Sequence, residues 1–255
     1  MRRRDVYFVL ISLLWPAVFL GHSAAAAEWS GFHVGASLGA AVSEADARTS
    51  VRAQGGYFTG DDHVLINDAG QGAMSETNLS AGLQAGYSKQ FGNLLVGLVA
   101  SANSLSFDDT RSSTVGYNTS PGNTFTLTQT VEADWQATLR PRIGWAQDNW
   151  LGYVSAGVAV TQLKTDYSFT DTAFSAVSRS SETEIVPGWS LGFGAQYALN
   201  ENWSLSSEYL YTAYSGSKHS SVVSETSGGA PATLEHSAEL NSHTVMIGVV
   251  YRFNP

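Results

Sequence analysis

Two arginines are the first residues in this sequence with the types and spacing to do chemistry. Arg140 and Arg142 stand two positions apart within WQATLRPRIGWAQDNWLGYVSAGVAV (135–160). In a β-strand that spacing puts both side chains on one face, because the side-chain period is two. Gln136, Thr138 and Gly144 share their face, and Trp135, Ala137, Leu139, Ile143 and Trp145 take the other. An arginine drawn out of bulk water needs an acceptor, since an unpaired charge there is costly. Glu208 is the best carboxylate partner and Arg252 belongs to the same set, so Arg140, Arg142, Glu208 and Arg252 form a candidate charge cluster. It is either a structural plug of ion pairs and water or the selectivity constriction of a small pore.

No catalytic constellation stands beside that cluster. His219 with Ser220, and His243 with Ser242, are neighbours in sequence only, whereas nucleophilic catalysis needs nucleophile, base and acid held together. The chain has no cysteine, which excludes thiolate catalysis and thiolate metal sites. His63, His219 and His236 match no metal-ligand spacing. The acids Asp61, Asp62, Asp108, Asp109, Glu182 and Glu184 either gather divalent cations or form a solvated coat. Glycine at alternate strand positions suits close packing rather than phosphate binding. The expectation is a non-enzymatic protein with no cofactor and no resident metal.

The elements that position these residues follow an N-terminal leader. Residues 1–27 combine three arginines, an apolar run over 6–20 and a small-residue tract at 24–27, the pattern of a cleaved secretory signal peptide. That run is shorter than the roughly 20 residues a spanning helix needs. Without the leader, which holds Arg2, Arg3, Arg4 and Asp5, 10 basic and 21 acidic residues remain, a net of −11. A chain of that charge is a poor partner for nucleic acid.

From residue 28 onward the recurring signal is a period of two. Eight segments alternate, over about 32–40, 79–88, 94–105, 135–145, 151–162, 189–197, 204–212 and 244–253. In the first, Phe32, Val34, Ala36, Leu38 and Ala40 oppose His33, Gly35, Ser37 and Gly39. The links alternate too: short turns at 91–93, 147–149 and 199–202, and long polar stretches at 43–76, 106–131, 163–185 and 215–242. Aromatic residues gather beside the short turns: Trp29 and Phe32, Tyr87 and Phe91, Trp145 and Trp150, Tyr197 and Trp203, Tyr251 and Phe253. Interfacial girdles collect such rings. The polar faces hold Gly, Ser, Gln and Thr rather than Lys and Glu, which suits an enclosed lumen better than the wet face of a β-sandwich. The fold expected is all-β: an eight-stranded antiparallel up-and-down transmembrane β-barrel with four long extracellular loops and short periplasmic turns, formed by residues 28–255. Pro141, which lacks a ladder donor, predicts a bulge or a missing hydrogen bond.

These residues also resemble a known family. The run at 135–160, the hairpin PGWSLGFGAQYALNENWSLSSEYLY (187–211), the last strand HTVMIGVVYRF (243–253) and the opening WSGFHVGASLG are similar to the small outer-membrane surface antigens of alpha-proteobacteria, often filed as porin-family proteins with an OmpA-like barrel. Gln196 stands where that family usually has an acid, and Asn254 and Pro255 extend past its usual terminal aromatic. The resemblance implies the outer membrane, with lipids, lipopolysaccharide and the barrel-assembly machinery as partners. It implies a structural or surface-interaction role, with a host or environmental ligand at the loops. The alternatives are a narrow porin passing small solutes and, through the extracellular loops, haem binding, which is reported among the family's members.

Overall fold

The computed structural model describes residues 27–52, 58, 60–118, 120–223 and 232–253. The leader expected at 1–27 lies, apart from Ala27, outside the described residues, as do Asn254 and Pro255. The strands among these residues are β1 (Gly31–Val51), β2 (Gln71–Phe91), β3 (Leu94–Gly116), β4 (Thr124–Gln147), β5 (Trp150–Asp171), β6 (Val177–Ala198), β7 (Trp203–Tyr214), β8 (Ser217–Val223) and β9 (Ala232–Arg252), and the one helix among them, α1 (Gly60–Ala69), lies between β1 and β2. Neighbours pair antiparallel, and β9 returns to β1, with Leu38 opposite both Ala81 and Ile247. Because β7 and β8 pair with successive parts of β9, they form one interrupted wall strand. The nine segments therefore make an eight-strand ring.

The uninterrupted strands run 21 to 24 residues, against the 9–11 or so that cross a bilayer. At roughly 3.3 Å per residue and about 40° of tilt, 22 residues rise about 55 Å, close to twice the hydrocarbon thickness. Most of the stretches expected as long polar loops are therefore β-wall: 43–51, 71–76, 106–116, 124–131, 163–171, 177–185, 217–223 and 232–242. What remains of the first connection carries α1, an addition to the all-β expectation.

The apolar residues of the lower wall face outward. Leu38 is 70% exposed, and Phe32, Leu83, Ile143, Val158 and Ile247 are likewise exposed. At the short-turn end, aromatic rings of adjacent strands pair: Phe32 with Tyr87 at 5.0 Å, Trp150 with Tyr197 at 4.8 Å and Trp203 with Tyr251 at 5.0 Å. The turns there are tight, with Gly92 at φ 62° and Asp148 at φ 52°, the left-handed conformation that glycine and aspartate tolerate best.

Besides register shifts at Ser104/Phe107 and Glu132/Gln136, two gaps mark the ladder. Between β4 and β5 the pairing skips Arg140 and Pro141, passing from Leu139↔Val158 to Arg142↔Ser155 with the register unchanged. The proline thus leaves a gap in the ladder and no bulge. Between β2 and β3 the backbone pairing ends at Gly82↔Asn103. Above it side chains stitch the seam: Ser80 Oγ donates to the Ser104 carbonyl at 2.6 Å, and the Asp108 N–H donates to Glu76 Oε2 at 2.9 Å.

Candidate functional site: the barrel lumen

The residues facing the lumen form layers. At the periplasmic mouth the chain before β1 folds inward. The Ala27 N–H donates to the Asp148 carbonyl at 3.1 Å and the Trp29 N–H to Gln90 Oε1 at 2.8 Å. Trp29 is only 2% exposed and packs with Leu95, Ala146, Leu151, Tyr153 and Ala198. It closes the barrel from below and is not part of the girdle in which its sequence position put it. Arg252 lies over its ring, 4.4 Å from the centroid, and donates from Nη1 to the Glu28 carbonyl at 2.7 Å.

Above that seal is the charged layer. Arg140 is fully buried and makes a two-pronged pair with Glu208, Nη1 to Oε1 at 2.9 Å and Nη2 to Oε2 at 3.2 Å. Its Nε donates to Thr138 Oγ1 and its Nη1 also to Ser155 Oγ, each at 3.1 Å. A forked, charge-assisted pair of this kind fixes both direction and distance. It is possible because Gly192 lies beneath it: a Cβ there would crowd Arg140, Ser155 and Glu208.

Arg142 uses the same device in the other direction. It stands opposite Gly97 on β3, which stands opposite Ser88 on β2. Since Gly97 has no side chain, the guanidinium reaches Ser88 Oγ, at 3.1 Å from Nε and 2.7 Å from Nη2, and lies 5.4 Å from the Tyr153 ring centroid. Of the four residues singled out by sequence, then, Arg140 and Glu208 are brought together, while Arg142 and Arg252 find other partners. Of the candidate serines and histidines, Ser242 Oγ meets Ser43 and Thr244, and His243 Nδ1 meets Tyr209 Oη at 2.6 Å. Among the described residues no group of three or more His, Cys, Asp or Glu could hold a metal ion.

A polar crosslink tops this layer, Tyr214 Oη donating to Gln136 Oε1 at 2.8 Å. Beyond it the interior turns apolar. Ala45, Met74, Leu105, Phe107, Val131, Leu163 and Leu240 pack as one cluster. Above them Ile66 of α1, Phe58, Tyr117, Phe125, Leu127, Phe169 and Leu234 pack as another. The helix is a stopper: its Ile66 is fully buried, and Asn67 Oδ1 accepts from the Val51 N–H at 3.0 Å. The outer surface at this height is polar. Glu44, Asp46 and Arg48 follow one another on β1, and a row of hydroxyls links β3 to β4, with Thr110–Thr130 at 2.8 Å, Ser112–Thr128 at 3.1 Å and Thr114–Thr126 at 2.9 Å.

A closed antiparallel ring with an apolar belt outside and a paired charge inside is the architecture of a protein that crosses the outer membrane by strands, where every backbone group must be satisfied within the wall. The chain belongs to the family described as the outer membrane protein beta-barrel domain, which matches residues 11–253. It is 34% identical over 173 residues to the 31 kDa outer-membrane immunogenic protein of Brucella melitensis, a match covering 68% of this chain and 65% of that protein. The chain thus spans just under two thirds of the length of that relative. It is 26% identical over 123 residues to the 25 kDa outer-membrane immunogenic protein of Brucella abortus, covering 48% of each chain. Among solved structures it is similar to OprG of Pseudomonas aeruginosa, at 14% identity and a TM-score of 0.45, covering 90% of this chain and 99% of that one. The protein is an outer-membrane β-barrel related to surface antigens.

Proposed function

We propose that this protein is a sealed, non-enzymatic barrel with a structural and surface-interaction role, presenting a rigid β-wall to the cell exterior. One observation carries this reading: side chains pack across the lumen at successive levels, with Trp29 at the mouth, the Arg140–Glu208 layer and two apolar clusters above it. An eight-stranded ring is just wide enough for side chains to fill, and an apolar interior gives ions no substitute for their hydration shells. Rigid scaffolds of this kind commonly carry binding at their exposed edges. Reconstitution into planar lipid bilayers is the test. A sealed barrel gives no stepwise conductance, and reproducible steps that persist after removal of detergent would overturn the reading in favour of a narrow porin.

A further inference from the structure

The extracellular wall contains one cleft that a purely structural role leaves without a use. It encloses about 560 Å3 between β1, β8, β9 and the end of α1. In a chain with net charge −9, three cations meet there. Arg48 stands opposite Ser237 on β9, and Ser237 stands opposite Lys218 on β8. Two strand spacings, about 10 Å, thus separate Arg48 from Lys218, and both side chains are long enough to reach the middle. Just past the end of β1, Arg52 meets Glu235 at 3.3 Å. Arg48 and Lys218 have no ion-pair partner among the described residues.

Behind this face of the wall the groups are neutral. His236 turns into the barrel and is engaged at both nitrogens, with Thr49 Oγ1 at 2.9 Å and Ser221 Oγ at 2.8 Å. His219, beside Lys218 in sequence and opposite His236, turns inward with it, its ring 5.1 Å from that of Tyr167. Asn67 and Gln71 complete the wall. Asp46 and Glu239 face each other one row nearer the membrane, so the surface potential changes sign over a single strand repeat. The cleft attracts anions where its surroundings repel them.

We propose that this cleft binds a saccharide bearing a phosphate or sulfate group, presented from outside the cell. A guanidinium and an ammonium facing each other suit a tetrahedral oxyanion. The volume falls in the range of small-ligand sites and exceeds what a bare anion fills, and the amides and hydroxyls suit sugar hydroxyls. Height argues against a lipid headgroup. Arg48 lies six residues beyond Val42, where the apolar row of β1 ends, a rise of about 15 Å above the apolar belt.

This inference deepens the surface-interaction reading, but its test reads the cleft alone and holds whether or not the barrel conducts. The full chain in detergent micelles is titrated calorimetrically with glucose 6-phosphate, glucose 6-sulfate and unsubstituted glucose. The expected result is saturable binding of both anionic sugars and none of glucose. Arg48→Ala/Lys218→Ala should weaken binding by about tenfold or more, as loss of charge-assisted hydrogen bonds predicts, while Lys218→Arg retains it. Arg179→Ala, on β6 and outside the cleft, should leave it unchanged. A boiled-versus-unboiled gel verifies that each variant is folded. If the double variant does not fold, Lys218→Ala alone, at an exposed position, carries the test with a loss of about threefold. No saturable binding by the native chain, or undiminished binding by the variants, overturns the proposal. So does a variant that loses binding only to phosphatidylglycerol vesicles and not to the sugars, since the ligand is then a headgroup.

Discussion

Strand β4 passes through two environments, and its two halves are built in opposite senses. Over 135–147 the outward residues are Trp135, Leu139, Ile143 and Trp145, and the inward ones are Thr138, Arg140 and Arg142. Over 124–133 the outward residues are Thr124, Thr126, Thr128, Thr130 and Glu132, and the inward ones are Phe125, Leu127, Val131 and Ala133. A register irregularity between Glu132 and Gln136 joins the halves. The backbone ladder is the same in both, and only the solvent outside differs. Where lipid surrounds the wall, the apolar face turns outward and the lumen must satisfy its own polar groups. Where water surrounds it, the wall behaves as a soluble barrel with a hydrophobic core.

The largest expected effect falls on the upper half. Phe125→Ala empties a fully buried site between Tyr117 and Phe169 and should cost about 3–5 kcal/mol, read as a fall in the urea midpoint of the vesicle-inserted protein. In the lower half the sensitive element is the charge. Glu208→Ala leaves Arg140 buried without its carboxylate and should cost about 3 kcal/mol, by the same measurement. If Glu208→Ala were neutral, the charged layer would be too hydrated to be a plug.

The outer faces separate the halves next. Leu139→Arg, at 45% exposure toward lipid, should destabilise by about 2–3 kcal/mol. Thr128→Arg, on the same strand above the irregularity, should stay within about 0.5 kcal/mol. Equal effects at the two positions would erase the distinction.

Per pH unit the smallest effect is a pH dependence confined to the upper half. Burial, with a smaller push from neighbouring His219, lowers the pKa of His236 from 6.5 to about 4. Between those values the unfolded chain binds more protons than the folded one, so stability rises with pH. It should fall by on the order of 1 kcal/mol for each unit below about 6.5 until about 4. His236→Gln should flatten this part of the curve, and a curve unchanged by that substitution would count against a neutral buried imidazole.

The lower half was largely legible in the sequence because apolar residues alternating with Gly, Ser and Arg, cut by turns of two to four residues, have few other homes. The lumen side of Arg140, Arg142 and Glu208 follows from parity alone. Their partners do not, because Arg142 reaches Ser88 across Gly97, a contact set by the register of three strands. The upper half was hidden by its composition. TFTLTQTVEA (124–133) alternates as strictly as any lower segment, but its threonines and acids weigh it toward a loop until the sign of the alternation is allowed to reverse. ATLEHSAEL (232–240) repeats the lesson, with Leu234, His236, Ala238 and Leu240 inside. Trp29 carried no signal that would separate a buried plug from an interfacial ring. The helix α1 has weak amphipathic character and is held by contacts of Ile66 and Asn67 that only the closed barrel supplies.

The reversal itself can be read directly, because the chain has no cysteine and single cysteines can be placed along β4 at 125, 126, 127, 128, 139 and 143. In the vesicle-inserted protein a membrane-impermeant maleimide should label positions 126 and 128 quickly, leave 125 and 127 protected, and fail at 139 and 143, which a lipid-soluble reagent should reach. Equal labelling of 125 through 128 by the impermeant reagent would mean that this stretch is a loop, and would contradict the account.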